Sequence, residues 1–291
     1  MVGDKFLKST EHLRNIQGIV IDMDGTIYIG DKLFPWTKKF LEALEEVGIR
    51  RLFLTNNSAE STAEYASKLR RMGISVDDSE VLTAGWATLH YIISETPYRR
   101  IYLLGTAGLR QEFEEGGLTV VNKDGDGIRG DDPDAVVLGF DMTITYQRIR
   151  KAAELIQKGL PYIATHPDQI CPKEDGMVPD CGSMIELLAP ATGRRPLIVG
   201  KPHSRMVDAA LSRLRTTAEQ TAVIGDLLPT DMKMARENGL LGILVLSGET
   251  SREDVENSEL TPDLVVQHAG EFATRLRAAI DAGRQPVSGS H

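Results

Sequence analysis

The sequence has little cysteine and no excess of positive charge, and each absence excludes a class of protein. Its two cysteines, Cys171 and Cys181, lack the neighbouring ligands of a zinc site, so we expect reduced thiols. Lys and Arg together number 33 against 42 Asp and Glu, which gives a formal net charge of −9. We expect no nucleic-acid partner, because binding to a phosphate backbone depends on a basic surface that releases counterions.

Long apolar runs are also missing. No stretch approaches the roughly 18 apolar residues that span a bilayer. Residues 1–16 lack the apolar core of a signal peptide, so we expect a cytoplasmic protein without membrane contacts. What remains is an ordinary globular composition, 41% hydrophobic and 26% charged, in 291 residues, which suffices for one large domain or two medium ones.

Short apolar strands alternate with amphipathic helices in the first third of the chain. Residues 18–23 and 50–55 predict buried strands, and residues 37–49 and 62–74 predict helices that each end near a glycine. The last third repeats the pattern. Strand–helix alternation is typical of a parallel sheet with helices on its faces, so the predicted class is a Rossmann-like α/β fold.

Polar side chains follow four of the predicted strands. They are Asp22 and Asp24, then Thr55 and Asn56, then Lys201, and finally Asp226 and Asp231. In an open parallel sheet, ligands bind outside the carboxyl ends of the strands. If all four strands belong to one such sheet, these side chains meet at one place.

Asp22 and Asp24 are the most informative pair. Two carboxylates so close together repel each other in a low dielectric, and a divalent cation between them would offset that repulsion. Asp226 can supply a further oxygen ligand. A few hard oxygen ligands with room for water and a phosphate favour Mg²⁺ over zinc.

The four clusters together contain what phosphoryl transfer requires. They supply a carboxylate nucleophile, a second carboxyl group for proton transfer, hydroxyl and amide donors, and a cation. An alkoxide leaving group needs a proton whereas a halide does not, so the second Asp favours ester hydrolysis. A phosphotransfer module that uses an aspartyl-phosphate as a signal, and a phosphomutase, remain as alternatives.

Four motifs resemble those of the haloacid dehalogenase-like phosphatase superfamily: "DMDGT", "LTNNS", "GKP" and "GDLLPTD". Longer stretches such as "DMDGTIYIGDKLFP" and "YIATHPDQICP" are similar to the NagD and 4-nitrophenylphosphatase-like subfamily. The resemblance implies a Rossmann-like parallel-sheet core with helices on both faces and an inserted α/β cap of the C2 type. We expect residues 1–84 and 197–291 to form the core and residues 85–196 the cap.

The resemblance also implies a role for each motif residue. Asp22 is the nucleophile and a Mg²⁺ ligand, and Asp24 is the general acid and base, with its main-chain carbonyl on the metal. The remaining roles are Thr55 and Asn56 on the phosphate, Lys201 as a catalytic cation that also binds phosphate, Asp226 as a metal ligand and Asp231 in the second shell. The expected reaction is Mg²⁺-dependent hydrolysis of a small phosphate monoester through an aspartyl-phosphate.

The segment "THPD", residues 165–168, is the predicted determinant of substrate specificity. By resemblance this cap loop faces the active site, so His166 and Asp168 are expected to contribute to substrate specificity. A bulky cap favours small substrates, such as sugar phosphates, nucleoside monophosphates or phosphoglycolate-like acids, and analogy implies a homodimer or higher homo-oligomer. We also expect residues 124–132 to form a solvated hairpin or loop rather than a calcium site, and residues 284–291 to form a disordered tail.

Overall fold

The computed structural model describes residues 10–122, 132–173 and 176–284. The loop at 124–132 and the tail at 284–291 therefore lie almost entirely outside the described residues. The strands are β1 (Gly18–Asp22), β2 (Tyr28–Ile29), β3 (Lys32–Leu33), β4 (Arg50–Thr55), β5 (Val81–Thr83), β6 (Arg100–Leu104), β7 (Thr119–Val120), β8 (Ala135–Leu138), β9 (Tyr162–Ala164), β10 (Ile170–Lys173), β11 (Gly176–Pro179), β12 (Leu197–Ile198), β13 (Thr221–Gly225), β14 (Leu241–Val245) and β15 (Leu264–Val266).

Helices connect most of these strands. They are α1 (Thr10–Arg14), α2 (Thr37–Glu46), α3 (Thr62–Arg71), α4 (Ala84–Glu95), α5 (Ala107–Glu115), α6 (Tyr146–Gln157), α7 (Cys181–Thr192), α8 (Ser204–Leu214), α9 (Lys233–Glu237), α10 (Arg252–Asn257) and α11 (Ala269–Arg284). No helix in the described ranges is both long enough and apolar enough to cross a membrane.

The chain divides into two compact units. The first comprises Met1–Leu54, Leu69–Glu80 and Ala210–His291, and the second comprises Thr55–Lys68 and Val81–Ala209. An insertion between two halves of a core produces such a division. The domain boundaries expected from the sequence, with a cap at 85–196, stay a prediction.

The first unit contains a parallel sheet in which the strand order is β15-β14-β13-β1-β4. The central strand β1 pairs with β13 on one side and with β4 on the other, both in parallel. Every residue of β13 and the first four of β1 are buried, as expected for a strand covered on both faces. The predicted parallel-sheet core with helices on both faces is confirmed.

Helices pack on this sheet through the apolar faces that the sequence pattern predicted. In α2, Phe40, Leu41 and Leu44 are buried at helical spacing. Phe40 meets Phe272 of α11 edge to face, with ring centroids 6.3 Å apart. Such a pair adds about 1 kcal/mol to the burial of its apolar area.

The second unit has its own parallel sheet, ordered β12-β9-β8-β6-β7. Its helices α4, α5, α6 and α7 begin at N-caps whose side chains accept main-chain N–H groups: Thr83, Thr106, Thr145 and Asp180. Each such cap contributes about 1 kcal/mol to helix stability.

One expectation about topology is wrong. Convergence of the four polar clusters requires all four strands to lie in one sheet, which would place the strand before Lys201 in the sheet of β1 and β13. Instead β12 pairs with β9, through Leu197 opposite Ile163, in the sheet of the second unit. A short apolar run shows that a strand is present but carries no information about which strand lies beside it.

Candidate active site

Three carboxylates meet at the carboxyl end of the first sheet. Oxygen atoms of Asp22, Asp226 and Asp231 all lie within 4.8 Å of one another. The strand register explains why Asp22 and Asp226 are close, because Ile21 of β1 lies beside Ile224 of β13 and both strands end at the same edge of the sheet. Asp226 and Asp231 are almost fully buried, at 2% and 1% exposure, and Asp22 is half-buried.

This cluster fits a divalent cation. At 4.8 Å and an effective dielectric constant of 20, each pair of charged carboxylates repels by about 3 kcal/mol. Burying three such groups together is unfavourable unless a positive charge lies among them. Hard oxygen donors from only three side chains leave room for water and substrate oxygens, which suits Mg²⁺-type coordination.

Asp226 is held tightly by main chain. Its Oδ2 atom accepts the N–H of Glu249 at 2.8 Å. A Cβ atom built on Gly248 would lie 1.9 Å from the same oxygen, and one on Gly25 would lie 2.5 Å from it. Gly25 also has φ +77°, so the glycine after Asp24 serves both a left-handed turn and a close approach.

Asp231 is held in a similar way. It lies on a π-helical turn, Leu228–Met232, and its Oδ2 accepts the N–H of Leu227 at 3.2 Å. A Cβ on Gly225 would lie 2.4 Å from its carboxylate. Asp231 was expected in the second shell of the metal, yet its carboxylate belongs to the same group of three as those of Asp22 and Asp226.

Asp24 lies on the turn that follows β1. It is exposed, forms an isolated bridge with Tyr28, and is not a member of the three-carboxylate group. Thr26, fully buried, donates from its hydroxyl to Oδ2 of Asp22 at 3.4 Å. An exposed carboxyl group can exchange protons with water, which suits the acid–base role that the resemblance implied.

In the second unit, Asn56 links two of the predicted site residues. Its Oδ1 accepts the main-chain N–H of Lys201 at 2.7 Å, and its Nδ2 donates to the carbonyl oxygen of Lys201 at 3.1 Å. The same Nδ2 donates to both carboxylate oxygens of Asp168, at 3.2 and 3.0 Å. Lys201 is only 4% exposed, and the Thr55 hydroxyl accepts the N–H of Asn57 at 3.1 Å.

His166 lies beneath the surface of this region. It is fully buried, with Nδ1 3.4 Å from Asp168 Oδ2 and Nε2 3.5 Å from Asp180 Oδ1. Burial raises the pKa of Asp168, but contacts with His166 and Asn56 and the charge of Lys201 outweigh it, so the net pKa is lowered. The Asp168 carboxylate is therefore stabilised in its charged form.

The structure thus brings Asp22, Asp226 and Asp231 together in the first unit, and Asn56, Asp168 and Lys201 together in the second. Sequence reasoning missed Gly248 and Glu249, which fix Asp226. The available signal was the segment "LSGET", which follows β14. Because β14 pairs in parallel with β13, the loops after both strands leave the sheet at the same edge.

Comparisons with known proteins agree with this architecture. The profile of haloacid dehalogenase-like hydrolases matches residues 19–119, and a second HAD-hydrolase-like profile matches residues 198–272. An acid sugar phosphatase of Staphylococcus haemolyticus is 34% identical over 250 residues, which cover 86% of this chain and 92% of that protein.

Solved structures of phosphatases are also similar to this chain. A 4-nitrophenylphosphatase from Thermotoga maritima has 43% identity and a TM-score of 0.85, over 90% of this chain and 98% of that one. NagD from Escherichia coli K-12 has 27% identity and a TM-score of 0.79, over 88% and 98%. The expected NagD-like resemblance is confirmed, and the chain belongs to the haloacid dehalogenase-like hydrolase family and, within it, to the phosphatases.

Proposed function

We propose that the protein hydrolyses small phosphate monoesters with Mg²⁺ through an aspartyl-phosphate on Asp22. The observation that carries the proposal is the group of three carboxylates at the carboxyl ends of β1 and β13. Only one of its members, Asp22, is half-buried rather than buried, which leaves it the most accessible to a substrate. Asp226 is the proposed second ligand, and main-chain N–H groups donate to both its carboxylate and that of Asp231.

The reaction has two steps. An Asp22 oxygen attacks the phosphorus atom, the bond from phosphorus to the ester oxygen breaks, and Asp24 donates a proton to the departing alkoxide. A water molecule then attacks the phosphorus atom while Asp24 accepts its proton, which releases inorganic phosphate and regenerates Asp22. Lys201 and the Thr55 hydroxyl serve to neutralise and hold the phosphoryl oxygens.

Mg²⁺ would be held by Asp22, Asp226 and the main-chain carbonyl of Asp24, with Asp231 either ligating directly or orienting the others. When bound, the cation supplies positive charge against the negative charge of the phosphoryl group. Members of this family generally use a divalent metal, and the oxygen-only donor set of this chain favours Mg²⁺.

The proposed substrates are small. Two of the relatives named above are a sugar phosphatase and a nitrophenyl phosphatase, which supports sugar phosphates and artificial aryl phosphates as a first choice. We also propose the division into a core and an inserted C2-type cap that the sequence predicted. The cytoplasmic location of the protein and its assembly into a homo-oligomer remain predictions.

The test is phosphate release by the wild type and by Asp22→Asn, assayed with Mg²⁺ on 4-nitrophenyl phosphate and on a panel of sugar phosphates. Asp22→Asn keeps the shape of the side chain but removes the nucleophilic charge. Turnover should fall by at least about 10⁴-fold, as for other residues essential to covalent catalysis. Asp281→Asn, an exposed position on α11, is the matched control and should retain wild-type activity.

Three results would contradict the proposal. Phosphate release by Asp22→Asn at the wild-type rate would exclude Asp22 as the nucleophile. A phosphorylated wild-type protein that persisted for minutes would favour a signalling module instead, and activity that required a bisphosphate would favour a phosphomutase.

A further inference from the structure

The Asn56 side chain bonds protein groups through both its amide nitrogen and its amide oxygen. Its amide faces the main chain of Lys201 as a neighbouring strand would, accepting from the N–H at 2.7 Å and donating to the C=O at 3.1 Å. The second amide hydrogen is directed to the carboxylate of Asp168. Rotating the amide by 180° would set donor against donor and acceptor against acceptor, so these contacts fix its orientation.

The main chain before Lys201 packs closely against Asn56, so that a side chain at position 200 would not fit without a shift. A Cβ on Gly200 would lie 2.7 Å from Asn56 Oδ1 and 2.6 Å from the carbonyl oxygen of Thr165. The N–H of Gly200 donates to that same carbonyl at 2.7 Å. Gly200, the residue before Lys201, therefore packs closely against both Asn56 and Thr165, which follows β9.

Asp168 also lies close to the buried His166. His166 lies between Asp168 and Asp180, and Asp180 caps α7 by accepting the N–H of Cys181. His166 thus lies within 3.5 Å of both carboxylates without a hydrogen bond from either ring nitrogen, whereas Asp168 is hydrogen-bonded to Asn56, which in turn bonds Lys201.

We propose that Asp168 and Asn56 are positioning residues that fix the main chain of Lys201, so that they control the rate of turnover for every substrate and not the choice among substrates. This inference rests on the proposed role of Lys201 in phosphoryl transfer. It differs from the sequence-based expectation, in which Asp168 contacts the substrate. The reason is geometric, because both oxygens of its carboxylate accept from Asn56 and one of them lies 3.4 Å from Nδ1 of His166.

The first test uses Asn56→Asp, Asp168→Asn and the double variant. Asn56→Asp removes every hydrogen bond that the Asn56 amide donates, to Lys201 and to Asp168, and sets two carboxylates against each other. Asp168→Asn is isosteric at a partly exposed side chain, so it should fold even if Asn56→Asp does not. In the double variant, the new amide at 168 can donate to the new carboxylate at 56, which still accepts the N–H of Lys201.

The expected result is a loss of kcat with little change in KM. Displacement of a charged group by about 1 Å costs on the order of 100-fold in rate, so we expect about 10- to 100-fold for Asn56→Asp. The loss should be equal for 4-nitrophenyl phosphate and for a hexose phosphate. The double variant should recover part of it, and the exposed Glu186→Gln on α7 should match the wild type.

A changed preference between the two substrates, or a rise in KM with kcat retained, would overturn the inference, because a residue that contacts substrate behaves in that way. Losses in the two single variants that simply multiply in the double variant would also overturn it.

A second readout does not depend on activity. Hydrogen exchange of the amide of Lys201 should be slow in the wild type, because it donates to Asn56, and faster in Asp168→Asn. Unchanged exchange would refute the positioning role even if the wild type released no phosphate. Absence of phosphate release together with faster exchange would refute only the proposed function.

Discussion

Replacement of Gly248 by alanine tests the carboxylate group most directly. The new Cβ would lie 1.9 Å from Oδ2 of Asp226 and 2.5 Å from its Cγ, whereas ordinary contact begins near 3.4 Å. The carboxylate would have to move by about 1.5 Å, and its hydrogen bond from the N–H of Glu249 would break. The backbone of residue 248 is not left-handed, so space and not φ is the obstacle.

The magnitude follows from that displacement. A misplacement of about 1 Å near the reacting groups costs on the order of 100-fold in rate. We therefore expect Gly248→Ala to lose about 100-fold or more in kcat, and to need more Mg²⁺ for half-maximal activity. The assay is phosphate release across a Mg²⁺ titration, with circular dichroism and thermal unfolding in EDTA to confirm that the variant folds.

Gly239→Ala is the matched control. Gly239 has φ +72° and nothing within 4 Å of a Cβ, so alanine there should cost about 1–2 kcal/mol of stability through backbone strain alone. Its kcat and Mg²⁺ requirement should stay at the wild-type values. If Gly248→Ala instead matched the wild type in both quantities, the close contact with Asp226 would have no functional meaning and the reasoning would fail.

Two further predictions concern metal and pH. Mg²⁺ at about 100 times its Kd should raise the free energy of unfolding by about 2.7 kcal/mol, because only the folded chain assembles the three carboxylates. Asp226→Asn should largely abolish this stabilisation in thermal unfolding. An equal stabilisation of that variant would place the ion elsewhere. Burial raises the pKa of the Cys181 thiol from 9.0 to about 12, so its contribution to stability is present below pH 9 and is lost as the pH rises from 9 to 12. Denaturant unfolding across that pH range should therefore show a falling free energy of unfolding, and the fall should be shallower in Cys181→Ala. The fall that remains in this variant includes the buried Tyr162, whose pKa is also raised. Identical slopes in the two proteins would show that the Cys181 thiol does not contribute.

Local pattern was sufficient for much of the fold. The apolar run at β1, the helical spacing of Phe40, Leu41 and Leu44 in α2, and the repeated alternation of strand and helix predicted a parallel α/β core, which the structure confirms. These features depend on residues near one another in sequence, because burial of a strand or of one helix face leaves a periodic signature.

Strand pairing could not be obtained in that way. The apolar residues before Lys201 predicted a strand, but β12 joins β9 in the second sheet rather than the sheet that contains β1. A short apolar strand presents the same sequence pattern in either sheet. Which neighbour it takes depends on contacts made by distant parts of the chain.

The sequence by itself determined which chemical groups follow the short strands and in what order: carboxylates, a hydroxyl, an amide and a lysine. Only the tertiary structure decided how they are grouped. It placed Asp231 beside Asp22 and Asp226, brought Gly248 against Asp226, and turned the amide of Asn56 toward the main chain of Lys201. The physical reason is that residue types set which bonds can form, whereas parallel pairing and close packing of distant segments set which of them do form.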